Sequence, residues 1–248
     1  MARQKGLLII EGTIGGLNFY LRKGEPLVRA AGGGFTAEAI RKSPSMERTR
    51  ENYSEFSGCM KTVKHFKMAM VSFLRLFKDG TMHQRLVSLM TQIKDSDVVS
   101  TRGSRHVGQG VLTEAGKALL RGYVYTPGPT LEYVLGQPYS FQWDGVGFSI
   151  PNFSMKAVRF PKGATHLELQ VAAMRFEFST YASAFVTGEP LVLGKNEVIS
   201  SIALAPTSFP DGEGTAIGLV FLRFYQEVNG VRHAFKEEKY VVMEGVFV

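Results

Sequence analysis

The sequence predicts an α+β fold: an N-terminal β-hairpin and a helical hairpin, followed by a C-terminal antiparallel β-sandwich of immunoglobulin-like type. Three observations predict this fold class. The first thirty residues contain runs rich in β-branched and aromatic side chains, apolar side chains recur at helical spacing from Pro44, and short apolar or alternating runs fill the chain beyond Thr130. The predicted domains are residues 1–126, a basic hairpin and helical domain, and residues 130–248, the sandwich.

The N-terminal hairpin is predicted from two strand-like runs, Leu7–Ile14 and Leu17–Lys23. Between them, Gly15-Gly16 forms a two-residue loop whose residues accept positive φ angles. Residues 23–26 are typical of a second turn, and residues 27–31 can form a third strand. We therefore expect an antiparallel hairpin with one further strand.

Two helices are predicted after this hairpin. Glycines 32–34 indicate a flexible connector, and Thr36 is placed to cap a helix N-terminus. From Pro44, apolar side chains are spaced by three, four or seven residues, which predicts one long amphipathic helix, bent near Gly58 and ending at residues 79–80. A second helix from about Thr81 to Lys94 is expected to fold back on the first.

The rest of the chain is predicted to be β-structure. Pro127 and Pro129 flank a glycine and cannot continue a helix or a central strand, which places the domain boundary there. Roughly seven to nine strand-like segments follow at regular spacing, as in a sandwich of two sheets. Asn229-Gly230 is the strongest turn signal in the chain.

The composition excludes several classes of protein. A chain of 248 residues with 44% hydrophobic and 21% charged residues is typical of a globular protein rather than a disordered one. No window approaches the ~20 apolar residues of a membrane-spanning helix, and the apolar run near the start is too short for a secretory signal. We expect synthesis in the cytoplasm and no membrane insertion. Later incorporation into an extracellular or virus-like assembly is left open.

Charge is distributed unevenly along the chain. Residues 1–125 contain 20 Lys/Arg and 10 Asp/Glu, a net charge of +10, whereas residues 126–248 contain 9 and 12, a net charge of −3. A basic half attracts nucleic acid or an acidic protein surface, and it can also dock on the acidic half of a neighbouring copy. The charge pattern therefore supports two different function classes.

Sequence motifs that carry chemistry are missing. The histidines are too far apart in sequence for a local metal site, and the single cysteine, Cys59, excludes both a disulfide and a Cys-rich zinc site. The sequence contains no Gly-x-Ser-x-Gly elbow and no Walker-type or kinase-type loop. We therefore predict no catalytic residue, no metal, no cofactor and no enzymatic activity.

The first group of candidate contact residues lies in the glycine-rich segment 102–110. Its basic or titratable side chains are Arg102, Arg105 and His106. Three hypotheses apply: a loop that binds phosphate, a clip whose arginines pair with carboxylates of an adjacent subunit or domain, and a hinge whose polar residues face water. His106 as a catalytic base is a further, weaker hypothesis.

The second group of candidate contact residues is the basic surface of the long predicted helix. Its members are Arg48, Arg50, Lys61, Lys64 and Lys67. This surface can follow a phosphate backbone, contact an acidic partner, or simply be solvated. We favour the solvated face, because Glu47 and Glu51 alternate with the two arginines and lower the local field.

Several segments also occur in a familiar order. They include EGTIGGLNFYLRKG, SPSMERTRENYSEFSG, STRGSRHV, FPKGATHLELQ and FLRFYQEVNGVRHAFKEEKY. In this order and over most of its length the chain resembles a family of uncharacterised Bacteroidota proteins, with an N-terminal Gly-x-x-Gly hairpin and a C-terminal Tyr-Gln-Glu-x-Asn-Gly hairpin. The resemblance implies no activity and assigns no catalytic or ligand-binding residue.

The leading functional prediction is a non-enzymatic structural or scaffolding protein that assembles with copies of itself or binds a protein partner. It is based on the absent catalytic motifs, the opposite charges of the two halves and the expected edge strands. The alternative is a nucleic-acid-associated protein that uses the basic half of the chain.

Overall fold

The computed structural model describes residues 2–4, 8–32, 36–143, 145–235 and 237–248. The chain divides into two compact units, Met1–Arg50 and Glu51–Val248. The predicted boundary at residues 126–130 therefore falls inside the second unit. Leu7, the predicted start of the first strand, and Gly33 and Gly34 of the predicted connector lie outside the described residues.

The structure contains both helices and antiparallel sheets, so the α+β prediction is confirmed. In the first unit the elements are β1 (Ala2–Arg3), β2 (Gly12–Ile14), β3 (Leu17–Arg22), β4 (Glu25–Ala30) and α1 (Ala37–Lys42). Helix α2 (Glu47–Ala69) begins in the first unit and continues in the second. The other helices are α3 (Val71–Leu74), α4 (Met82–Asp95), α5 (Val107–Gly110), α6 (Glu114–Leu120) and α7 (Leu131–Leu135). The other strands are β5 (Ser140–Gln142), β6 (Gly147–Ile150), β7 (His166–Phe176), β8 (Ser183–Thr187), β9 (Leu191–Gly194), β10 (Ile202–Leu204), β11 (Thr215–Val228), β12 (Val231–Ala234) and β13 (Val241–Phe247).

The first unit is built on a four-stranded antiparallel sheet in the order β1-β4-β3-β2. Gly15 and Gly16 both have positive φ, +56° and +79°, which is the turn that matches the twist of a hairpin. Lys23 and Gly24 repeat this geometry between β3 and β4. The predicted hairpin and its third strand are thus confirmed, but among the described residues the first strand of the hairpin is Gly12–Ile14, which is shorter than the predicted Leu7–Ile14. Thr36 also caps α1 as predicted, because its hydroxyl oxygen accepts the Ala39 N–H.

The predicted helical hairpin is present. Its first helix is interrupted at a different residue from the predicted bend near Gly58. Helix α2 runs unbroken through Gly58 and stops at Ala69. Met70 then leaves the helical region, with φ −105° and ψ 21°, before α3 begins. Helix α4 lies antiparallel to α2, since Cys59 of α2 contacts Met90 of α4 while Glu55, one turn earlier in α2, contacts Lys94, one turn later in α4.

The second unit is organised around a curled six-stranded antiparallel sheet. Strands β7 and β11 pair along their length at its centre; β8 and β9 pair with β7, and β12 and β13 with β11. A smaller antiparallel sheet has the order β10-β6-β5. The structure does not confirm an immunoglobulin-like sandwich, and that finer arrangement stays a prediction.

Both faces of the large sheet are buried, which explains why helices and strands share one unit. On one face, Phe176 and Phe221 pack with Phe66 of α2 and Phe73 of α3. On the other face, side chains from β7, β11 and β13 pack with β6, β10 and α7. Sequence reasoning separated the helical part from the sheet, but this shared core joins them.

Helices α4 and α5 approach so closely that the contact requires a glycine. A Cβ atom added to Gly110 would lie 1.9 Å from the carbonyl oxygen of Ile93. We predict that Gly110→Ala lowers the free energy of unfolding by about 2–4 kcal/mol, because the backbones must separate. The measurement is urea unfolding followed by circular dichroism.

Gly58→Ala is the matched control for this prediction. A Cβ atom at Gly58 meets no atom within 4 Å, and the residue lies inside α2. Alanine there is expected to be neutral or to stabilise the protein by up to about 1 kcal/mol. Equal destabilisation by both substitutions would contradict the proposed close contact.

Candidate functional site

The loop that follows α4 is fastened to α2 through one buried carboxylate, Glu55. The Glu55 carboxylate accepts the Gly103 N–H at 2.7 Å and two bonds from the Arg105 guanidinium, both at 2.9 Å. The Lys94 ammonium, also buried, donates to the same carboxylate at 2.8 Å. A hydrogen-bonded group of this kind is stable because its charges are paired and its donors are used.

These contacts shift the pKa values of the group. The bidentate bond from Arg105 is the largest influence on Glu55 and, with Lys94 and the Gly103 N–H, it outweighs burial and lowers the pKa of Glu55 to about 2. The bond to Glu55 in turn raises the pKa of Arg105. Burial acts to lower the pKa of Lys94, but Asp95 and Glu55 outweigh it and the pKa is raised. Glu55, Lys94 and Arg105 are therefore charged at neutral pH.

The other members of the loop are held in the same way. Arg102 pairs with the Glu51 carboxylate at 3.2 Å and donates to the Asn52 side-chain oxygen at 3.4 Å. The backbone N–H of His106 donates to Asp97, while the His106 side chain is exposed at the start of α5. Arg102 and Arg105 thus contact carboxylates of helix α2 in the same chain. The clip geometry is present, but between segments of the second unit.

A cleft of about 550 Å³ lies beside this clip. Its charged lining residues are Glu55, Lys94, Asp95 and Arg105, two acids and two bases that are already paired with one another. Cys59 also lines the cleft, and burial raises the pKa of its thiol. The arrangement stabilises the fold by matching charges.

The low pKa of Glu55 makes stability depend on pH. Its carboxylate stabilises the folded state fully above its ordinary pKa of 4.5, and this contribution disappears as the pH falls through about 2. We expect the free energy of unfolding to fall by on the order of 3 kcal/mol over this interval because of Glu55. Urea unfolding between these pH values measures the fall.

Substitution separates this contribution from those of other carboxylates. Glu55→Gln is expected to flatten the pH profile between 4.5 and about 2, whereas Glu114→Gln, an exposed control, should leave its slope unchanged. An unchanged slope in Glu55→Gln would show that folding does not lower the pKa of Glu55.

The predicted basic residues of helix α2 have different surroundings. Arg50 donates to the carbonyl oxygens of Ile40 and Ser43, at 2.8 and 2.9 Å, and so closes the C-terminal end of α1. Arg48 and Lys61 are exposed. Lys64 and Lys67 lie together on the rim of an apolar groove. Of the five predicted helix residues, Lys64 and Lys67 line this groove.

The sheet of the first unit presents one entirely apolar face, which sequence reasoning missed. Strand register places directly opposed residues on the same face. The residues of this apolar face are Ala2, Gly12, Ile14, Leu17, Phe19, Leu21, Pro26, Val28 and Ala30. The polar face contains Arg3, Thr13, Asn18, Tyr20, Arg22, Glu25, Leu27 and Arg29. Every charged residue of these strands is therefore on the polar face.

The apolar face is accessible to a partner. Ile14, Leu17 and Leu21 are 58%, 42% and 44% exposed. No described residue of the first unit is fully buried, so its sheet has no core of its own. The alternation of apolar and polar residues along β3 was the sequence signal that could have revealed this face.

Other features of the described residues bear on function. Within the described ranges, no cluster of His, Cys, Asp or Glu side chains is placed to hold a metal ion. None of the described helices has the length and apolar character needed to cross a membrane. Comparisons with protein-family models, curated proteins and solved structures find no match to this chain. The resemblance to a Bacteroidota family stays a prediction.

Proposed function

We propose that this chain is a non-enzymatic structural protein that assembles with copies of itself through the apolar face of its N-terminal sheet. The observation that carries the proposal is the contrast between the two faces of that sheet. One face contains only apolar residues, and the other carries the charged ones. A sheet with one apolar face is stable when that face is covered by a second layer.

A second copy of the same face is the occupant that fits best. The face has no charged residue, so packing it on itself brings no like charges together. Two sheets packed face to face form a sandwich, and a two-fold axis lets one patch serve both copies.

The size of the face matches a reversible contact between copies. Strands β3 and β4 have six residues each, whereas β1 and β2 have two and three, which gives a projected area of roughly 270 Å² per copy at about 3.3 Å per residue and about 4.8 Å between strands. With the relief of the side chains, two copies bury about 700 Å², which is smaller than a stable specific interface, so we expect assembly to depend on protein concentration. The sheet edges offer less, because β1 and β2 have only 2 and 3 residues.

The predicted scaffold role and the predicted immunoglobulin-like fold are included in this proposal. The paired charges around Glu55 support a protein whose second unit is a stable scaffold rather than a reactive site. An immunoglobulin-like relation of the two sheets in that unit is part of the same proposal, as a fold typical of adhesive proteins. The N-terminal sheet then supplies the contact between copies.

Size in solution at different salt concentrations tests the proposal. Light scattering should give a mass of two or more copies that persists in sodium chloride and increases in sodium sulfate, which strengthens apolar contacts. An assembly that dissociates in sodium chloride would instead indicate contact between the basic and acidic parts of neighbouring copies. A single-copy mass at every concentration would contradict self-assembly.

A further inference from the structure

We infer that a second docking surface lies on the helices of the second unit, and that it binds an acidic amphipathic helix of a partner protein. The surface is a groove of about 580 Å³ lined by residues of α2, α3, α4 and the segment after α3. It lies on a different unit from the apolar face of the N-terminal sheet. The inference therefore does not depend on self-assembly.

The interruption at Met70 shapes the groove. Helix α2 ends at Ala69 and α3 begins at Val71, so the apolar side chains on either side of the break are not part of one continuous helix face. Met68 is 61% exposed and Val71 is 42% exposed, and Leu74 completes the apolar floor. An exposed methionine beside aliphatic side chains adapts readily to the side chains of a bound helix.

The rim of the groove is basic. Lys64, Lys67 and Arg75 line it together with the His83 imidazole, and no acidic residue is among the lining residues. Among the described residues, these four side chains form no ion pair. They differ in this respect from Arg102 and Arg105, whose charges are matched by Glu51 and Glu55. The rim therefore attracts a ligand with several negative charges.

An acidic helix matches this surface better than a nucleic acid does. A single strand of nucleic acid would use aromatic side chains for base stacking, and no Phe, Tyr or Trp lines the groove. An amphipathic helix places leucine-type anchors on the apolar floor while its carboxylates face Lys64, Lys67 and Arg75. The combination of an apolar floor and a basic rim thus specifies both faces of the ligand.

A designed peptide tests the inference without knowledge of the natural partner. The probe is a fluorescein-labelled peptide of about four helical turns, with leucine at helical spacing on one face and glutamate on the other. Fluorescence anisotropy with the full chain should show binding that weakens as salt rises from about 50 to about 300 mM. A scrambled peptide of the same composition should bind at least about tenfold more weakly.

Variants of the rim locate the binding. Lys64→Glu combined with Lys67→Glu is expected to weaken peptide binding by about tenfold or more, and Arg75→Glu provides an independent variant of the same rim. Lys61→Glu is the matched control, because Lys61 is an exposed lysine of α2 that does not line the groove. Its effect should stay within about twofold.

Three results would overturn the inference. Equal binding of the scrambled peptide would show attraction by charge alone. An equal loss in Lys61→Glu would place the binding elsewhere on the helix. If a single-stranded oligonucleotide binds more tightly than the peptide and is lost in the same rim variants, the groove is a nucleic-acid surface.

Discussion

Replacing Glu55 by alanine is expected to lower the free energy of unfolding by about 3–5 kcal/mol. The substitution removes the acceptor for the Gly103 N–H and the bidentate partner of Arg105, while the ammonium of Lys94 stays buried. Leaving buried donors and charges without their partner costs far more than losing an exposed ion pair. Chemical denaturation followed by circular dichroism measures the change.

The control for this variant is Glu47→Ala, which removes an exposed carboxylate from the first turn of the same helix. Its cost should be below about 1 kcal/mol. If Glu55→Ala is as mild as Glu47→Ala, the Glu55 group does not fasten the loop to α2, and the description of Arg102 and Arg105 as parts of an internal clip fails.

Replacing Leu21 by glutamate is expected to convert the assembly into single copies and to raise the dissociation constant by about a hundredfold or more. Leu21 lies on the apolar face of β3 and is 44% exposed, so the change should leave the fold of one copy intact. In a two-fold contact the substitution introduces one carboxylate from each copy into an apolar interface. Sedimentation equilibrium measures the dissociation constant.

Asn18→Glu provides the matched control for the apolar face. It adds the same negative charge to the same strand, but Asn18 lies on the polar face opposite Arg29. Its dissociation constant should remain within about threefold of the original value. Dissociation caused equally by both variants would mean that added charge, rather than loss of an apolar contact, is responsible.

Local signals account for the parts of the fold that the sequence predicted well. Tight turns form at Gly15-Gly16 and at Asn229-Gly230, where both residues have positive φ. Such a turn depends on its own two residues and not on distant parts of the chain. Thr36 caps α1 through a contact within three residues. These features depend on neighbours in sequence, so one sequence is enough to find them.

Long-range packing accounts for what the sequence did not reveal. Strands β7 and β11 are buried on both faces, and an apolar strand sequence does not show whether helices or a second sheet cover it. The break at Met70 has no proline or glycine beside it to mark it. The predicted bend was assigned to Gly58 instead, where the helix continues.

For the candidate sites too, the sequence identifies some of the residues, and long-range packing determines the others. The sequence identified Arg102 and Arg105 as contact residues, but Glu55 lies about fifty residues away and looks like any other acidic residue of an amphipathic helix. Lys64 and Lys67 were found as part of a longer basic run, yet only the structure shows that they border an apolar floor. The alternation along β3 indicates an apolar face, and the register of β3 and β4 shows that the neighbouring strand extends it.

Cross-linking from the two faces of β3 tests most directly whether copies meet through the apolar face. Phe19→Cys and Asn18→Cys place a thiol on adjacent residues that belong to opposite faces, and the native Cys59 is buried. A bis-maleimide with a spacer of about 10 Å matches the distance between packed sheets. Contact through the apolar face should give a covalent two-copy product from Phe19→Cys and little from Asn18→Cys. Equal yields, or a product from Asn18→Cys alone, would contradict it.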